Sequence, residues 1–176
     1  MTHRVRLQTD EGIFSARAVG IMFQRDRILL CRLLDEDIWV LPGGGIRLHE
    51  TAEEGIRREF KEEAGFEIEV QRLLCVLENF FVYRQTGERI HTHVFYFLVS
   101  PKEANGIWIQ EEFRGQEEFW DVKPGQWKVI PGKSQPLLFK WFAPEELDDL
   151  NFQPAILKGI LKEPPEHMVH LVMKRT

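Results

Sequence analysis

The chain has 176 residues, 43% of them hydrophobic and 29% charged, with a formal net charge of −5. That length and balance predict one globular domain with a sizeable core. The negative balance and the lack of a long basic tract exclude a large nucleic-acid surface or an anionic membrane as main partner, though not a nucleotide.

The first segment, MTHRVRLQTDEG, has no apolar signal region, and no apolar run approaches the ~18 residues of a membrane span. Cys31 and Cys75 sit in the apolar runs ILLCRLL and LLCVLEN and read as buried thiols. Together these predict a cytoplasmic protein. Residues 14–23 and 28–34 are β-rich, and the intervening QRDR predicts a hairpin. Residues 38–41 (IWVL) read as a short strand broken by Pro42, Gly43, Gly44 and Gly45.

A helix is then expected over 52–64. Thr51 with Glu54 three residues on is a capping-box signature, and Gly65 is a natural stop. On a helical wheel Ala52, Ile56, Phe60 and Ala64 form the core stripe. Glu59, Glu62 and Glu63 cluster roughly 80° away, at the edge of that stripe. Arg57, Arg58 and Lys61 fall on the far side. Three carboxylates within ~6 Å of one another, half desolvated, repel strongly and need compensation. A divalent cation supplies it, and all-oxygen ligands suit Mg²⁺ or Mn²⁺. The competing reading is a merely acidic solvated face.

Farther on, residues 66–78 suggest a strand. Residues 79–83 and 90–99 suggest a hairpin turning at Gly87. Phe80, Phe81 and Tyr83 read as core or as a base-stacking surface. His91 and His93 alternate on one strand face, with no third ligand nearby in sequence, so no metal site is expected of them. Residues 101–136 mix Pro and Gly with Trp108, Phe113, Phe119, Trp120 and Trp127 and fit no single period. They are expected to be an insertion or long loop in the single domain 1–176. Such a loop packs on its own sheet, makes a homodimer contact, or covers the site. Residues 137–142 read as a strand, 144–150 and 151–161 as helices, and the tail EHMVHLVMKRT as a last strand.

One pattern unites the middle of the chain. Gly44, five residues, Glu50, seven residues and Arg58-Glu59-Phe60-Lys61-Glu62-Glu63-Ala64-Gly65-Phe66 resembles the 23-residue Nudix box with every fixed position filled. Phe60 and Phe66 stand where aliphatics are commoner. The VLPGGG lead-in, the preceding hairpin and Trp141-Phe142 followed by Pro144-Glu145-Glu146-Leu147 extend the similarity over about 14–161.

The resemblance implies an α/β/α sandwich around a mixed sheet. It also implies Mg²⁺- or Mn²⁺-dependent hydrolysis of a diphosphate joined to another moiety, as in a nucleotide sugar or ADP-ribose. Glu59, Glu62 and Glu63 would be metal ligands, the Gly43 carbonyl would complete the shell, Arg58 would orient Glu59, and Glu50 would support the site. The base that takes the water proton would be Glu62, Glu63 or a loop residue such as Glu117 or Glu118. The alternatives are hydrolysis of nucleoside triphosphates and, in another class, a nucleotide sensor that does not cleave.

Overall fold

The computed structural model describes residues 4–102 and 110–175. Among the described residues nine strands form one mixed sheet: β1 (Arg6–Gln8), β2 (Ile13–Gln24), β3 (Arg27–Leu33), β4 (Gly43–Gly45), β5 (Ile68–Val82), β6 (Arg89–Pro101), β7 (Glu112–Lys123), β8 (Gln126–Phe142) and β9 (Val169–Lys174). The order is β7-β8-β3-β2-β6-β5-β9, with β1 and β4 also paired to β2. Pairings β2–β6 and β5–β9 are parallel and the others antiparallel.

One edge of β2 lies along β6. Its other edge takes three partners in succession: β1 at Ile13–Ser15, β4 at Arg17–Val19, and β3 only at Phe23 and Gln24. Because β3 pairs with just the end of β2, the two strands diverge. The β3-β8-β7 half of the sheet stands away from the rest and leaves a cleft between them.

Each face carries its own core. On one face Ile56, Phe60 and Ala64 of the long helix pack on Ala18, Met22, Phe97 and Val99. On the other, Leu147, Phe152, Leu157 and Leu161 cover Val19, Ile21, Leu30 and Tyr96. Those residues come from 3₁₀ turns at Pro144–Asp148 and Ala155–Leu157, the short helix α2 (Lys158–Lys162), and the link between them. Helical layers on both faces of a mixed sheet give the expected α/β/α arrangement.

The 24–27 hairpin forms as expected, with Arg25 and Asp26 at positive φ. The tail forms β9. Four local expectations need correction. Residues 38–41 make only isolated bridges, whereas the three glycines form β4. Without side chains, that segment lies close against β2: a Cβ at Gly43 would overlap the Ala18 carbonyl. Residues 68–82 are one continuous strand, not two. The last part of 101–136 is not a loop. Residues 112–136 belong to the hairpin β7–β8, turned at Pro124-Gly125. Residues 103–109, including Trp108, lie outside the described residues. Finally, the 144–150 segment is 3₁₀ rather than α-helical.

Candidate active site

The glutamate helix starts as its sequence requires. Glu54 N–H donates to Thr51 Oγ1 (3.2 Å), and Thr51 N–H donates to Glu54 Oε2 (2.7 Å). Helix α1 runs Ala52–Glu59 and passes into a π-turn, Phe60–Ala64. Gly65, at φ 80°, closes it by donating to the Phe60 carbonyl at 3.0 Å. A π-turn widens the helix where the carboxylates are carried. Phe60 beds the turn on the sheet: a Cβ at Gly20 would overlap its ring.

The three box carboxylates line one cleft of about 350 Å³ together with Arg4, Gln116, Glu117, Glu118, Lys133 and Ser134. Glu59 is 2% exposed and Glu63 8%, while Glu62 lies at the open rim. Gly44 is the floor, since a Cβ there would overlap the Glu59 carboxylate. Gly43, whose carbonyl accepts from Arg17 at 3.4 Å, is adjacent. Strand β7 closes over the π-turn at Gly115, where a Cβ would overlap the Glu63 carbonyl.

The wheel placed Arg58 on the far side with Arg57 and Lys61, and here the structure differs. Arg57 pairs with Glu53 and Lys61 with Glu67, both at the surface. Arg58 instead folds back along the helix. Its Nε and Nη2 donate to the two oxygens of Glu50 (3.0 and 2.7 Å). Its Nη1 donates to Glu59 (2.7 Å) and Glu62 (3.0 Å), and Nη2 also to the Gly45 carbonyl (3.1 Å). A wheel locates Cβ atoms, and the guanidinium reaches several ångströms past its own. Glu50 also accepts from Arg47 N–H at 2.6 Å. Burial pushes its pKa up, but the bonds from Arg58 and Arg47 outweigh this and hold it below the usual range.

Glu63 behaves oppositely. Burial, then the charges of Glu59 and Glu117, push its carboxyl well up. Glu117 is also raised by burial, with Arg17 and Arg4 opposing. Glu118, at the more open side of the cleft, is paired with Arg4 (2.5 Å). The two neighbouring glutamates are thus unequal: burial raises Glu117, whereas the Glu118 side chain is 40% exposed and ion-paired.

A second cavity of about 350 Å³ adjoins the cleft and shares Arg4 and Glu117 with it. Arg6, Arg17, Phe81, Tyr83, Trp120 and Trp127 are among its walls. Trp127 packs on Tyr83 (ring centroids 4.6 Å), lies under the Arg6 guanidinium (4.2 Å), and donates from Nε1 to Glu88 (2.6 Å). Trp120 lies under Arg4 (4.8 Å). Phe80 faces the other way, stacked on His91 at 4.1 Å. Arg4, Arg6 and Arg17 were not singled out in the sequence. The alternation of Arg4 and Arg6 was the available signal.

Against known proteins, the NUDIX domain family model matches residues 14–161. The chain belongs to that family. Among curated relatives, it is 30% identical over 102 residues to an RNA pyrophosphohydrolase of Stutzerimonas stutzeri, covering 57% of this chain and 62% of that one. It is 26% identical over 156 residues to an RNA pyrophosphohydrolase of Zymomonas mobilis, covering 82% and 91%. In structure it resembles an ADP-ribose pyrophosphatase of Streptococcus suis, with TM-score 0.51, 19% identity, and 90% and 98% of the two chains covered. No helix among the described residues is long and apolar enough to cross a membrane.

Proposed function

We propose that the protein is a pyrophosphohydrolase that cleaves the diphosphate linkage of a nucleoside diphosphate joined to another moiety. One observation carries this reading: a carboxylate cleft opens directly into an aromatic and arginine-lined cavity, with Arg4 and Glu117 common to both. The cavity's size suits one nucleoside rather than a polymer. Its tyrosine and tryptophans offer faces to a base, and its arginines offer charge to phosphate. The names of the curated relatives and the family support the class of reaction.

The donor set fits Mg²⁺ or Mn²⁺. Glu59, Glu62 and Glu63 are oxygen donors only, and Glu63 is driven toward its protonated form by burial and then by two neighbouring carboxylates. The Gly43 carbonyl is the fourth protein donor we assign. When bound, the metal supplies an acidified water and neutralises phosphate charge. The protein's own groups do the rest. Arg58 holds Glu59 and Glu62 in place and Glu50 holds Arg58. Arg4 and Arg17 draw the diphosphate toward the cleft. Glu117, raised and facing Glu59 and Glu63, takes the proton of the attacking water; Glu62 and Glu63 remain occupied with the metal.

The test is a panel of ADP-ribose, UDP-sugars, nucleoside triphosphates and 5′-triphosphorylated RNA, each with Mg²⁺ in ¹⁸O-labelled water. Hydrolysis of the linked diphosphates with label in a phosphate product is expected. Preference for triphosphates or RNA would overturn the substrate class, and no hydrolysis of any would favour a sensor.

A further inference from the structure

His91 and His93 stand on β6 where their sequence offered no third ligand. The fold supplies one from β5. The antiparallel register sets Glu78 opposite His93 and Phe80 opposite His91. Period-two alternation then puts Glu78, His91 and His93 on one face of the sheet, and Ile90 and Thr92, which line the aromatic cavity, on the other. One ligand atom from each of the three lies within 4.8 Å of the others. The two Nε2 atoms are 3.1 Å apart, and His93 Nε2 is 3.9 Å from Glu78 Oε2. Ligand bonds of about 2.1 Å at a tetrahedral ion set ligand–ligand edges of roughly 3.4 Å, so little movement is needed.

The surroundings hold these groups in place. Phe80 stacks on the His91 ring, and Phe14 meets both imidazoles edge-on at 5.1 Å. From β9, His170 Nε2 lies 2.8 Å from Glu78 Oε1 and orients that carboxylate, as outer partners of metal ligands commonly do. All three ligand residues are half-buried, so an ion from solution has access.

We propose that Glu78, His91 and His93 bind a divalent transition-metal ion of the zinc class, separately from the carboxylate cleft. Two imidazoles and one carboxylate suit Zn²⁺, Ni²⁺ or Cu²⁺, and select against Mg²⁺, which requires oxygen. Each imidazole ligates through Nε2 and carries its proton on Nδ1. The fourth position is open to water. The ion bridges β5 and β6, and through His170 it draws in β9.

Calorimetric titration of the full chain with ZnCl₂, in saturating Mg²⁺, tests this. One Zn²⁺ per chain is expected, retained by Glu62→Gln. The paired change His91→Ala with His93→Ala should weaken binding at least 100-fold. The shape-preserving Glu78→Gln should weaken it at least tenfold and decides the matter if the paired variant fails to fold. No uptake by the unmodified protein, or uptake unchanged in Glu78→Gln, would overturn the proposal. So would uptake lost only in Glu62→Gln, which would place the ion in the carboxylate cleft.

Discussion

Arg58 and Glu50 are joined by two parallel bonds, Nε and Nη2 of the one to Oε2 and Oε1 of the other at 3.0 and 2.7 Å, with both side chains 15% exposed. This pair anchors the guanidinium, so its remaining edge can hold Glu59 and Glu62. Arg58→Ala would leave Glu50 and Glu59 without their partner and is expected to cost about 3 kcal/mol of stability and most activity. Arg58→Lys keeps the charge but not the fork, and should recover little of either. Arg57→Ala removes only a surface pair and should shift stability by about 0.5 kcal/mol or less. Thermal melts and initial rates on the three variants check this. Equal, small losses from Arg57→Ala and Arg58→Ala would refute it.

The crowded carboxylates predict a pH dependence of the metal-free protein. Glu63 and Glu117 are both raised. The folded state therefore keeps protons that the unfolded chain releases. The stability they contribute is complete below the unfolded value near pH ~4.3 and is lost as pH rises through their folded values. Glu63→Gln removes one source of repulsion without changing shape. In chelator, its melting temperature should exceed that of the unmodified protein at pH 7, by roughly 2–4 °C per kcal/mol relieved, and the difference should vanish near pH 4. With Mg²⁺ present the variant should lose turnover by orders of magnitude. A variant less stable than the parent in chelator at pH 7 would contradict the assignment.

The two hairpin glutamates are expected to differ. Glu117→Gln should lower kcat about 100-fold or more with little change in KM. Glu118→Gln loosens the pair with Arg4 and the longer one with Arg47 (4.0 Å), and should change kcat less than tenfold. Steady-state kinetics separate these outcomes, and equal effects would remove the proton-acceptor role from Glu117.

Trp127 is expected to act on binding rather than chemistry. Its ring lies against Tyr83 and beneath Arg6 in the cavity assigned to the nucleoside. Trp127→Ala should raise KM about tenfold and leave kcat within a few-fold, as loss of one to three kcal/mol of stacking implies. An unchanged KM would mean the base lies elsewhere.

The helix was legible because its signals are local: Thr51 and Glu54 cap it, Gly65 ends it, and the apolar stripe sets its face. The Nudix box is equally local, spanning 23 residues. The hairpin β7–β8 was not legible, for a physical reason. It lies over the cleft; its alternation holds over Glu112–Glu117 and is then broken by a register shift between Glu118 and Trp120, and its partner β8 is exposed throughout Pro131–Ser134, so no single period runs through the hairpin. Glu78 was invisible as a partner of His91 and His93 because only strand register brings it there. Arg58 was misplaced because its reach depends on side-chain length rather than on helical angle.

The π-turn at Phe60–Ala64 makes this region a matter of counting. Each residue added to or removed from a helix turns everything beyond it by about 100°. Deleting one residue between Glu59 and Gly65 would leave an acceptable all-α segment while rotating Glu62 and Glu63 relative to Glu59. The chain length there is therefore as restrictive as the identity of the glutamates. The Pro124-Gly125 turn of the hairpin faces open space, with nothing within 4 Å of a Cβ at Gly125, although Gly125 itself sits at φ 72° and donates to Glu88 Oε1 at 3.1 Å. An insertion should therefore cost less at that tip than in the helix.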